Sequence, residues 1–177
     1  MKKYKENLTP LEYESFYNKT TDHNQCINCN ASMKIQDYSI NKMSCALILR
    51  MYDNEKLQRQ NKIENPEDLH LYKMPRYIGE TPTFLNYTKH LHYFGLIEPT
   101  GKHGWWRITP LGKLVLQGKE FPIKVWVWDG KVIKEDKTLT TLKQRMFVKD
   151  QFSVKRKYTS LGSQLLEQMN NYDPKNY

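Results

Sequence analysis

Apolar residues recur at spacings of three and four from Ile40 to Tyr52. Ile40, Met43, Ala46, Leu47 and Met51 share one side, and Cys45, Ile48, Leu49 and Tyr52 widen it. That period is helical, and an apolar surface this broad predicts a helix buried at its start. Asn41 stands where an N-cap is needed, so the helix is expected from there to about Arg59; Asp53 to Gln60 is polar and reads as projecting into solvent. After a polar link holding Pro66, Leu69 to Tyr72 alternates as a short strand, Met74 to Ile78 reads as a short second helix, and Gly79-Glu80 as a turn. Thr81 and Pro82 then supply a cap and a proline at the first helical position. Phe84, Thr88, Leu91 and Phe94 form the inward stripe of this third helix, and Gly95 offers the left-handed conformation that ends it.

Beyond Gly95 the period shortens to two. Leu96 to Glu98 and Trp105 to Thr109 read as strands around the turn-rich Pro99 to Gly104, with Trp106 and Ile108 facing away from Trp105 and Arg107. Thr109-Pro110 repeats the helix-start signal, Leu111, Leu114 and Val115 give a stripe, and Gly118 closes the helix. Phe121 to Trp128 and Lys131 to Lys134 flank Asp129-Gly130, the dipeptide of a two-residue hairpin turn; Val125 and Val127 face one way, Trp126 and Trp128 the other. Thr138 or Thr140 is expected to cap a helix reaching Phe147. At the ends, Thr9-Pro10-Leu11-Glu12 predicts a short helix to Tyr17, Lys34 to Tyr38 an edge strand, and Ser160 to Met169 a helix with Leu161, Leu165 and Leu166 apolar.

The string HLHYFGLIEPTGKHGWWRITPLGKLVL resembles the L-x-x-x-G-L-I … W-R-I-T-P-x-G passage of winged helix-turn-helix regulators of the MarR and PadR type. It is closer still to small bacteriophage and prophage proteins that place a Cys-x-x-Cys knuckle ahead of such a domain. The resemblance spans about Asn41 to Ile133. It implies an α+β protein: a winged helix-turn-helix core over 39–118, an N-terminal arm and knuckle over 1–38, and a C-terminal β-hairpin with a helical extension over 119–177. Residues Met74 to Ile78 and Thr81 to Phe94 would be the helix-turn-helix, and the turn 99–104 the wing.

Charge sharpens the functional expectation. The net charge is +9. Residues 1–100 carry 13 Lys and Arg against 12 Asp and Glu, and residues 101–177 carry 15 against 7, so nearly all the excess lies in the second part. A basic excess beside a winged-helix pattern points to double-stranded DNA. On the Thr81 helix, the face opposite the inward stripe carries Thr83, Asn86, Lys89, His90 and Tyr93, side chains able to read base edges or bind phosphates; a solvated helix face has the same composition. Lys102 and His103 at the hairpin tip, with Arg107 behind them, can follow the phosphate backbone, and Lys155, Arg156 and Lys157 form a second basic run. Trp105 is expected either to pack under the C-terminal hairpin or to stack on an unpaired base.

Three cysteines, an odd number without secretory context, argue against a disulfide framework and for a metal pair or free thiols. Cys26 and Cys29, with His23, offer up to three zinc ligands; reduced thiols in a turn are the alternative. Ile27 and Asn30 stand where the related knuckles have Pro and Gly. No run approaches the length of a membrane span, so a cytoplasmic location with no membrane partner is expected. No nucleophile elbow, Gly-rich phosphate loop or metal triad is present, which argues against an enzyme. The competing expectation is a protein-interaction module or inhibitor that uses the winged helix as a scaffold and binds a host or phage protein through Tyr13, Tyr17, Trp126, Trp128 and the tail. A homodimer is compatible with both.

Overall fold

Asn41 accepts from the Ser44 backbone N–H through Oδ1 at 2.9 Å, and helix α1 (Lys42–Gln60) starts there, as the sequence predicts. The computed structural model describes residues 35–71, 87–128, 130–147 and 169–177. Within α1, Cys45 to Leu49 and Met51 are wholly buried, so this stretch is covered on all sides. The polar second half does not simply project into solvent. Glu55 is only 3% exposed, because cations from α1 itself and from a later helix close over it. The helix ends with Lys62 in the left-handed conformation (φ 53°), donating to Arg59, while Ile63 donates to Gln58; these bonds satisfy carbonyls the helix leaves open.

Among the described residues three further helices follow: α2 (Thr88–Tyr93), α3 (Pro110–Leu116) and α4 (Leu142–Phe147). Eight short strands of the described residues form three small antiparallel sheets. The first is ordered β1-β6-β7, from Gln36–Tyr38, Val125–Trp128 and Lys131–Glu135; the second is β2-β4-β3, from Leu69–His70, Trp105–Ile108 and Ile97–Pro99; the third pairs β5 (Phe121–Pro122) with β8 (Leu139–Thr140). The described residues are therefore mixed α+β. Among them, no helix is long and apolar enough to cross a membrane.

Several predicted punctuation marks operate as expected. Gly95 (φ 67°) ends α2, with Gly95 and Leu96 donating to His92 and Leu91; Gly118 (φ 97°) ends α3, with Gly118 and Lys119 donating to Val115 and Leu114. Gly130 (φ 73°) lies in the β6–β7 turn, where Trp128 pairs with Lys131. Val125 and Val127 face the core, 1% and 4% exposed, with a register shift between Trp126 and Val127.

Other details differ. The inward face of α3 is Gly112, Val115 and Leu116, while Leu111 and Leu114 stay exposed. The phase is set by Thr109, which caps α3 by accepting from Gly112 N–H at 3.0 Å and donates through Oγ1 to the Gly95 carbonyl at 2.6 Å. A Cβ on Gly112 would lie 2.2 Å from the Leu96 carbonyl oxygen, so only glycine lets α3 sit this close. Residues 121–128 split into β5 and β6 rather than one strand. Thr141, not Thr138 or Thr140, caps α4: its Oγ1 accepts from Gln144 N–H at 3.3 Å and Gln144 Oε1 accepts from Thr141 N–H at 2.9 Å, a reciprocal box.

One apolar cluster joins these parts. It runs from Ile40 and the α1 residues through Leu91, Ile97, Ile108 and Val115 to Phe121, Val125, Leu142, Met146, Met169 and Tyr172. The predicted edge strand β1 pairs with β6, and Arg145 Nε donates to the Ile40 carbonyl at 2.6 Å, so residues beyond 118 meet both β1 and the start of the 39–118 stretch. The predicted helices at 10–17, 74–78 and from Ser160, and the start of the Thr81 helix, lie outside the described residues.

Candidate nucleic-acid interface

Helix α2 and the β3–β4 hairpin are consecutive, joined by Phe94, Gly95 and Leu96, and Thr88, Leu91 and Phe94 anchor α2 in the core as the stripe predicts. The face expected to look outward is only partly open. Lys89 is exposed. His90 and Tyr93 instead turn onto the strand β1: the His90 ring stands edge-on to Tyr38 with centroids 5.2 Å apart, and Tyr93 lies 4.7 Å from the same ring. His90 Nδ1 is 2.8 Å from the Ser39 carbonyl. A carbonyl only accepts, so Nδ1 carries the proton and, in the neutral ring, Nε2 is left as the acceptor. Burial, and then Tyr93, push the Tyr38 phenol pKa upward. Thr83 and Asn86 lie outside the described residues.

Backbone bonds close the hairpin tip. Thr100 N–H donates to Trp105, Trp105 N–H to Lys102, and Leu71 N–H to the Gly104 carbonyl, each at 3.0 to 3.1 Å. Gly101 (φ 85°) and Gly104 (φ 80°) supply the left-handed turns, and Lys102 and His103 are exposed between them. Arg107 is not a free cation behind this tip. It lies opposite Glu98 in the register, and its Nε donates to Glu98 Oε1 at 2.7 Å, which raises the guanidinium pKa further.

Trp105 meets a residue that its sequence spacing did not announce. Its ring stands edge-on to His70, 5.1 Å away, because Trp105 pairs with His70 across β2 and β4. Trp106 similarly meets His92 at 5.6 Å. The His70 partner, like Glu98 opposite Arg107, depends on strand register, which sequence spacing alone left open, whereas His92 reaches Trp106 from α2. On the other sheet, Lys124 and Lys134 lie over Trp126 at 5.8 and 5.2 Å from the ring centroid, and Lys124 also pairs with Asp37.

Cys26, Cys29 and His23, and the run Lys155, Arg156 and Lys157, fall outside the described residues. Among the described residues no group of three or more His, Cys, Asp or Glu side chains is placed to hold a metal. Cys45 is a core thiol: burial pushes its pKa up to about 12, and its Sγ lies 3.9 Å from the Leu142 carbonyl. No family model, curated protein or solved structure matches the chain.

Proposed function

We propose that this chain is a winged-helix protein that binds double-stranded DNA, a phage-type regulatory or accessory factor. The helix that includes α2 enters the major groove, and the 99–104 turn rides on the phosphate backbone. The observation that carries this reading is the β2-β4-β3 order: the strand after the first long helix pairs with the far strand of the hairpin, and the hairpin ends in an exposed Lys102-His103. The resemblance of residues 90–116 to winged-helix regulators agrees with that arrangement. Lys89 and Lys102 are the phosphate contacts, Thr83 and Asn86 the base-reading candidates, and His90 and Tyr93 orient the helix against β1. Zinc on Cys26, Cys29 and His23 is an accessory proposal that would brace the arm and take no part in reading bases.

Charge reversal is the direct test. Lys89→Glu and Lys102→Glu should each weaken binding to a random duplex at fixed salt by about tenfold or more, with unchanged far-UV circular dichroism. Unchanged affinity in both variants would rule out this docking. A second reading, a protein-interaction module, draws on Leu111 and Leu114, which are 37% and 45% exposed at i, i+3 on α3. It predicts a salt-insensitive protein complex that Leu114→Glu disrupts.

A further inference from the structure

The groove between α1 and α3 holds a group of charges that the proposed duplex contacts do not use. Glu55, with its side chain 4% exposed, receives Arg59 Nε and Nη2 at 3.1 and 2.6 Å and Lys113 Nζ at 2.8 Å, all on Oε1. Arg59 comes from one turn further along α1, and Lys113 from α3. Because both cations sit on the same oxygen, one buried carboxylate fixes them side by side. Its other oxygen, Oε2, is buried and accepts no hydrogen bond from the described residues.

Arg59 Nη2 also lies 3.8 Å from Glu67 Oε2, so two carboxylates meet this cation and one meets Lys113. The guanidinium has five N–H donors and the ammonium three, so both keep donors beyond those given to Glu55. Their side chains are 54% and 39% exposed. They open onto a pocket of about 380 Å³ lined by Tyr52, Glu55, Lys56, Arg59, Lys113 and Gln117, with Tyr177 closing the wall 4.7 Å from the Tyr52 ring. Lys56, Arg59 and Lys113 share the pocket with Glu55, and Gln117 Nε2 donates to the Tyr177 main-chain oxygen at 3.1 Å. Lys56 also lies near Asp53, whose carboxyl pKa is raised mainly by burial and lowered in part by that lysine.

We propose that this pocket binds a phosphoryl group. A phosphoryl dianion has three acceptor oxygens and a charge of about −1.5 to −2 near neutral pH, which matches a fixed Arg–Lys pair with Lys56 and Gln117 at the rim. Glu55 is the positioning residue, holding Arg59 and Lys113 at bridging distance for one such group. The tyrosine wall suits a flat group attached to the phosphate. The proposal is independent of the duplex reading, because none of the pocket residues belongs to the assigned duplex contacts.

The test uses the full chain and calorimetric titration with inorganic phosphate and adenosine monophosphate at constant ionic strength. Wild type should bind with one saturable site. Lys113→Gln and Arg59→Gln should weaken binding at least tenfold, Lys113→Arg should retain it, and Lys124→Gln, outside the pocket, should leave it unchanged. Thermal unfolding of each variant without ligand separates lost binding from lost folding. A duplex competition distinguishes the source of the phosphoryl group. If the duplex displaces phosphate and Lys113→Gln weakens duplex binding equally, the group belongs to nucleic acid; if duplex affinity is untouched, it belongs to a free phosphorylated molecule. Absence of binding to folded wild type, or equal losses in Lys124→Gln and Lys113→Gln, would overturn the proposal.

Discussion

Glu98 and Arg107 show how one cross-strand partner can set the strength of a charged surface. The pair is exposed, with side chains 47% and 43% open, so it contributes little to folding. It does hold the Arg107 charge on the protein. Glu98→Gln should release that charge to a phosphate and tighten duplex binding by roughly threefold to tenfold at low salt, with an unchanged melting temperature. Band-shift affinity at fixed salt measures this, and an unchanged or weaker complex would place Arg107 away from the duplex. The residue types at the site, Lys89, Lys102 and His103, were legible from the sequence because exposed basic positions follow from helical and hairpin phase. That His90 and Tyr93 pack on Tyr38 was not legible, since it depends on where β1 lies beside α2.

At the scale of elements, Thr109-Pro110-Leu111-Gly112 does more than begin a helix. Thr109 ties α3 back to Gly95, its own N–H donates to the Leu96 carbonyl at 3.0 Å, and Gly112 leaves room for that same carbonyl. Gly112→Ala should destabilise the fold by about 3 kcal/mol, because the clash is with backbone rather than with a flexible side chain. Chemical denaturation gives the value, and a loss below about 1 kcal/mol would mean that α3 shifts freely on the sheet. The caps of α1 and α3, the glycine stops after α2 and α3 and the β6–β7 turn were placed correctly from sequence alone. The stripe of α3 was misread because Leu111 and Leu114 satisfy a helical period equally well. Only the Thr109 and Gly112 contacts choose which side turns inward. The α4 cap was missed for a similar reason: Thr138, Thr140 and Thr141 are all good cap residues, and Thr140 is already paired with Phe121 in β8.

For the whole molecule, contacts among the described residues run between the expected core and the expected extension. Phe94 meets Phe121 at 5.9 Å, Cys45 reaches Leu142, and the Tyr172 hydroxyl donates to the Leu116 carbonyl. Such contacts link residues that are far apart in the chain, and no local period announces them. Since β2-β4-β3 and β1-β6-β7 share one apolar cluster, the described parts should unfold together. Tryptophan fluorescence, reporting Trp105 and Trp106 in one sheet and Trp126 and Trp128 in the other, should give a denaturation curve that coincides with far-UV circular dichroism. Two separated transitions would show that the extension folds apart from α1.

The central claim is duplex binding through α2 and the hairpin tip, and the salt dependence of affinity addresses it most directly. For wild type, log Kobs should fall linearly with log[NaCl] with a slope of about −3 or steeper, reflecting release of several counterions. Lys102→Glu should make that slope shallower by about 1 as one phosphate contact is lost. A chain that binds no duplex at low salt, or whose slope is the same with and without Lys102, would contradict the account.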